Sequence, residues 1–126
     1  MANPEHVAKV KAFYEWLGAN APLDLNMADL TAANLKGAYL ERADLTGAKL
    51  RWAHLTSANL SRTTLINADL YAADLRGVNL ADADLIGVIL HEATYDNYTQ
   101  WPDGFDPVKA GCVKVSPPNR QRHSDS

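Results

Sequence analysis

The sequence predicts an all-β solenoid with four walls, on three observations. Leucine occupies every fifth position from Leu25 to Leu90, fourteen times without a miss. Two residues before the leucine stands alanine in ten of the fourteen units, and one before it stands Asp or Asn in nine. A period of five fits neither the 3.6 of an amphipathic helix nor the 2.0 of a flat strand, so it marks a repeat array. Each leucine and the small residue two before it point to one side, inward, and the other three positions point out. A chain that turns inward every five residues closes a coil of about 20, and coils stack at the strand spacing of about 4.8 Å. Fourteen units make about 3.5 coils, a rod under about 20 Å long. Alanine is required where four walls converge, and leucine fills the remaining volume. Leu30, Leu50, Leu70 and Leu90 form one such core ladder.

The first element is a short helix over residues 1–20. Asn3, Pro4 and Glu5 supply a capping residue, a proline suited to the first helical position and an acid in the first turn, and Gly18 offers a stop. Val7, Val10, Tyr14 and Leu17 recur at helical spacing with Phe13 beside them. A solenoid's first coil exposes backbone and apolar side chains, so this helix is expected to cap it. The array follows over residues 21–95. Gly37, Gly47, Gly77 and Gly87 fall two after a leucine, where the third residue of a type II turn wants positive φ, and Asn67 suits it too. Arg42, Trp52, Ser57, Arg62, Ala72 and Asp82 share that phase and would resist it, so mixed corner types are expected. Beyond Tyr95 the period stops. Residues 96–113 read as a second cap, with Trp101 and Phe105 over the last coil and one helical turn started by Asp106 and Pro107. Residues 114–126, polar and proline-bearing, read as a disordered tail.

Bulk properties narrow the functional class. A formal charge of −3 spread along 126 residues lacks the basic face of a general nucleic-acid binder. The one cysteine, Cys112, excludes an intramolecular disulfide framework or a Cys-rich zinc site. The N-terminus has no basic region followed by an apolar run, and no apolar stretch is long enough for a membrane helix. The expectation is a cytoplasmic protein that binds no membrane.

The runs Ala28-Asp29-Leu30, Ala33-Asn34-Leu35, Ala43-Asp44-Leu45, Ala58-Asn59-Leu60, Ala68-Asp69-Leu70, Ala73-Asp74-Leu75 and Ala83-Asp84-Leu85 resemble the pentapeptide-repeat family. The resemblance covers residues 23 to 95 and implies that family's fold, a right-handed quadrilateral β-helix. The terminal segment from Tyr98 to Pro107 is similar to the ending of many cyanobacterial members. Departures are Leu23, Thr63, Val78 and Val88 at the small position, and Tyr39, Lys49, His54, Thr64 and Ile89 at the Asp/Asn position. Some members imitate duplex DNA by presenting an acidic rod to a type II topoisomerase such as gyrase, and the resemblance makes that an alternative function.

Stacking puts residues 20 apart one above the other, which assigns every outward residue to a wall. Asp24, Asp44 and Asp84 make one acidic wall; the other three mix signs, as in Asp29, Lys49 and Asp69. Mixed signs and a short rod argue against the DNA mimic. His54 between Asn34 and Asp74, near Thr56 and Ser57, permits an Asp-His dyad, but convex coil faces supply neither pocket nor oxyanion hole. No enzymatic activity, cofactor or metal is expected, since His6, His91 and His123 share no ligand spacing. The remaining surface signal is Arg51, Trp52 and Tyr71, with His91 one rung beyond; Arg, Trp and Tyr are the types that anchor interfaces. An isolated exposed aromatic needs no special cause, so Trp52 also reads as a shielded surface residue. A second apolar column, Ile66 and Ile86, is a place the C-terminal tail would cover. The expected function is a scaffold or interaction module for another protein. With both ends capped, the expected state is a monomer.

Overall fold

The computed structural model describes residues 2–7 and 23–116. Its walls are single-residue parallel bridges stacked into columns: Asp24, Asp44, Thr64, Asp84; Asp29, Lys49, Asp69, Ile89; Asn34, His54, Asp74, Thr94; and Tyr39, Asn59, Asn79, Gln100. The step is 20 residues except at the last, Asn79 to Gln100, which is 21. This is the quadrilateral β-helix, and the phase of leucine fixes its register. Residue 44 shows the bonding: its N–H donates to the Leu23 carbonyl at 2.9 Å and its carbonyl accepts the Leu25 N–H at 2.8 Å. The leucines from Leu25 to Leu80 are buried, and so are the alanines that stand two residues before them. Thr63, the polar occupant of a small position, is buried with its hydroxyl donating to the Leu60 carbonyl at 2.7 Å, so its burial leaves no orphan group.

The corners correct the expectation of mixed types. All fourteen residues two after a leucine, from Met27 to Glu92, have φ between 56° and 70°, including Arg42, Trp52, Ser57, Arg62, Ala72 and Asp82. The left-handed conformation costs a non-glycine residue about 1–2 kcal/mol. Against that stand two hydrogen bonds at every non-glycine corner except that of Asp82, which among the described residues keeps only the turn-closing one. Ala53 N–H donates to the Leu50 carbonyl at 3.0 Å, closing the turn, and Trp52 N–H donates to the Tyr71 carbonyl of the next coil at 3.0 Å. Each contributes about 0.5–1.5 kcal/mol, and inserting the adjoining leucine contributes about 1.5–3 kcal/mol more. Packing therefore overrides local preference at every corner. Ser57→Gly should relieve that strain and raise stability by about 0.5–1 kcal/mol, after the extra chain entropy of glycine is subtracted. A urea midpoint no higher than that of the unaltered protein contradicts this.

The Asp/Asn position has a structural task that its periodicity alone does not disclose. Its Oδ1 accepts the N–H two residues on, at the first corner position, as in Asp24 to Asn26, Asn59 to Ser61, Asp69 to Tyr71 and Asn79 to Ala81, each at 3.0 Å. That N–H points away from the neighbouring coil and would otherwise have only water.

The two ends differ. Residues 4–7 are helical; Asn3 N–H donates to the Asp29 carbonyl at 2.8 Å and His6 Nδ1 accepts the Asp29 N–H at 2.7 Å, so residues 3–6 occupy the place of a preceding rung. The rest of the expected N-terminal helix, including Val10, Phe13, Tyr14, Leu17 and Gly18, lies outside the described residues. At the other end, Thr94–Tyr95 (β1) pairs in parallel with Val113–Lys114 (β2). The ladder continues to Val115, whose N–H donates to the Tyr95 carbonyl at 2.8 Å, so Lys114 and Val115 belong to the last rung rather than to a disordered tail beginning at 114. Residues 117–126 lie outside the described residues. Tyr95 takes the leucine position, Trp101 meets it edge-on at 5.6 Å, and Phe105 stacks on Trp101 at 5.1 Å. Ala110 N–H donates to the Asp106 carbonyl at 3.3 Å, one helical turn, while Asp106 Oδ1 accepts the N–H of Val108 at 3.0 Å. Ile86 is 69% exposed, so nothing among the described residues covers it.

Candidate functional site

Arg51, Trp52, Tyr71 and His91 come together on one corner. Leu50 and Leu70 anchor the corners that carry 51–52 and 71–72, and the Trp52 N–H to Tyr71 carbonyl bond locks one above the other. Asp69 fixes Tyr71 by accepting its N–H and sets its other oxygen, Oδ2, 3.5 Å from Arg51 Nε. The guanidinium carbon lies 4.6 Å from the Tyr71 ring centre and 5.2 Å from that of Trp52. The two rings meet edge to face at 5.9 Å, and His91 stacks on Tyr71 at 6.2 Å. Glu92 stands 3.7 Å from His91 Nε2. Trp52 remains 51% exposed. Cation–π contacts at such a surface contribute about 0.5–1 kcal/mol each, enough to bias one rotamer of a long side chain.

Arg51 differs from Arg76 in having no bidentate carboxylate, and from Arg62 in lying over aromatic rings as well as near one acid. Arg76 is spent on Asp74, donating from Nε to Oδ1 at 2.8 Å and from Nη2 to Oδ2 at 2.6 Å, and Arg62 reaches Glu41 at 3.5 Å. Arg51 Nε is buried and makes no hydrogen bond among the described residues. Its guanidinium is held by aromatic faces rather than by a bidentate carboxylate. Sequence reasoning missed Asp69 and Glu92 as members of this group. The signal for Asp69 was present in the register, which sets it over Lys49 and therefore beside Arg51.

The other candidate, His54, is bridged between Asn34 and Asp74 in one column, where all three line a shallow groove with Lys36, Thr56 and Arg76. The Asp74 carboxylate is occupied by Arg76, so it does not orient His54 as a base. Among the described residues no cluster of His, Cys, Asp or Glu is arranged to hold a metal, and no helix is long and apolar enough to cross a membrane. Cys112 is buried 3.6 Å from the Leu90 carbonyl, and desolvation pushes its thiol up to about 11, so thiolate chemistry is suppressed.

The column aspartates titrate with the fold. Thr31 donates its hydroxyl to Asp29 at 2.7 Å, Thr46 hydrogen-bonds Asp44, and Arg76 holds Asp74, and these bonds keep all three carboxyls below the ordinary 3.8. A folded-state value below the unfolded one contributes stability above 3.8 that is lost as pH falls through the depressed values. The urea midpoint should be flat from about pH 7 to about pH 5 and drop below about pH 4. Asn at positions 29, 44 and 74 together, which keeps an acceptor without the charge, should flatten that drop; an unchanged acid limb contradicts the assignment.

A family model described as pentapeptide repeats, in 8 copies, matches residues 24–62 and 53–92. Among solved structures, the chain is similar to a pentapeptide repeat protein from Nostoc PCC 7120, with 34% identity over 84% of this chain and 95% of that one and a TM-score of 0.43. It is also similar to a pentapeptide repeat protein from the cyanobacterium Cyanothece 51142, with 36% identity over 64% of this chain and 52% of that one and a TM-score of 0.39. A third is HetL from Nostoc sp. strain PCC 7120, a pentapeptide repeat protein involved in heterocyst differentiation regulation, with 21% identity over 76% of this chain and 60% of that one and a TM-score of 0.32. Comparison with curated proteins gives no significant match.

Proposed function

The chain belongs to the pentapeptide-repeat family, and from that premise we propose that it is a non-enzymatic interaction module, a cytoplasmic monomer that docks another protein on the corner of Arg51, Trp52, Tyr71 and His91. One observation carries the reading: the Arg51 guanidinium is held over two rings with no bidentate carboxylate to satisfy it. Immobilising an arginine on binding costs about 0.5–1.5 kcal/mol of rotamer entropy, and stacking removes part of that cost in advance. The outward fork then suits a carboxylate of the partner, with Trp52 as the apolar anchor. The walls weigh against the topoisomerase-binding alternative. The acidic column is interrupted by Thr64, and Lys49 breaks the column beside it.

Quantitative pull-down checks the patch. Arg51→Ala and Trp52→Ala should each reduce retention of the captured partner by about tenfold or more, the size of an interface anchor. Arg76→Ala, on a different wall, should leave it unchanged. An identical captured set for all variants sinks the assignment of this corner.

A further inference from the structure

The C-terminal cap closes only part of the last coil. One coil earlier, the wall from residue 62 to 70 is fully paired: Arg62, Leu65, Asn67 and Leu70 donate to the carbonyls of Ala81, Asp84, Ile86 and Ile89, and the Thr63 and Ala68 carbonyls accept Asp84 and Ile89 N–H, all at 2.7–2.9 Å. At the same positions of the next coil, the N–H groups of Asp82, Leu85, Gly87 and Leu90 and the carbonyls of Ala83 and Val88 find no backbone partner among the described residues. The cause lies in the following segment. The step from Asn79 to Gln100 is one residue long of phase, Pro102 has no N–H to give, and the chain leaves the ladder until Gly111 accepts the Glu92 N–H at 3.0 Å.

Two further features sit on this open edge. The displaced segment walls an apolar depression of about 340 Å³ lined by Ala83, Leu85, Ile86, Pro102, Gly104 and Phe105. Leu85 and Val88 are only partly buried, unlike their counterparts Leu65 and Ala68 one coil below. The surroundings are acidic: Asp82 and Asp84 flank Ala83 on the open edge and Asp103 lines the depression, while Arg62, one rung below Asp82, is held on Glu41.

We propose that this rim is a second docking site, separate from the Arg51 corner, which takes an extended basic segment of a partner protein as an added strand. Backbone groups of the edge supply pairing, the depression takes one large apolar side chain, and the carboxylates of Asp82, Asp84 and Asp103 select lysine or arginine on the flanks. The chain's own residues 117–126 contain arginines but no leucine, isoleucine or aromatic to fill the depression.

The probe is a blocked peptide of residues 43–52 carrying Asp44→Lys, whose Leu45 and Leu50 share the phase of Leu85 and Leu90. Titrated into the full-length protein, it should give saturable amide shifts at Leu85, Gly87 and Leu90 and slow their hydrogen exchange. Ile86→Lys, at an exposed corner position, should weaken binding about tenfold, as should N-methylation of the peptide at position 44, which removes the donor to the Ala83 carbonyl. Three results overturn the proposal. One is no saturable shift at these amides. Another is equal binding by a peptide with glutamate in place of its basic residues. The third is slow exchange at the rim before any peptide is added, which would assign it to residues 117–126 or to a second copy of the chain.

Discussion

Ala58→Phe unfolds the array. Ala58 is 1% exposed, its N–H closes the corner on the Leu55 carbonyl at 2.9 Å, and its own carbonyl accepts the Asn79 N–H at 3.0 Å. Ala38 lies one rung below and Val78 one above, tied through Asn59 and Asn79. Rungs about 4.8 Å apart cannot spread to admit a phenyl ring without breaking the bonds that define them. Overpacking costs about 1–3 kcal/mol in a globular core that can relax, and more where four bonded walls converge. Circular dichroism and urea titration should show a chain without a cooperative transition. Ala58→Val supplies the contrast: Val78 is fully buried in the same column, so the valine variant should fold and lose about 1 kcal/mol. A phenylalanine variant with an unchanged midpoint would mean that position 58 does not face inward.

Trp101→Ala should release the terminal rung. Trp101 stands between Tyr95 and Phe105, and the excursion from Gln100 to Gly111 has little else to hold it against the core. Truncating a large aromatic costs about 3–5 kcal/mol at full burial, and somewhat less here because part of the ring is exposed. In a solenoid that loss stays near the site, since each coil contacts only its neighbours. Exchange protection should vanish at the Val113 and Val115 amides and persist at Leu50 and Leu70. The indole Nε1 is buried with no partner among the described residues, so it contributes nothing to compensate its own desolvation. Trp101→Phe should therefore retain most of the protection, and equal loss in both variants would contradict the stacking account.

The leucine phase made the register legible, because a buried residue at a fixed period leaves one way to stack the coils. Placing Arg51, Trp52, Tyr71 and His91 on one corner followed from that register alone. The corners were not legible. Propensity at Arg42 or Trp52 opposes positive φ, and the opposing inter-coil bonds exist only once the neighbouring coil is in place. Asp69 was visible as a repeat residue, but its double engagement with Tyr71 and Arg51 depends on side-chain direction at a corner, which periodicity does not carry. The half-open cap was hidden for a related reason. Trp101 and Phe105 mark a cover, whereas the extra residue between Asn79 and Gln100 that lifts it from Leu85 shows only in the pairing.

Everything on the surface depends on coil resting on coil with strict phase. Scalar couplings across hydrogen bonds read this directly, from the amide nitrogen of one residue to the carbonyl carbon of its acceptor. The structure predicts couplings from Trp52 to Tyr71, Leu50 to Asp69 and Arg62 to Ala81 in the folded protein. At these three amides, couplings to acceptors at any other spacing, or none, would contradict the stacking and with it the corner that brings Arg51 over its two rings.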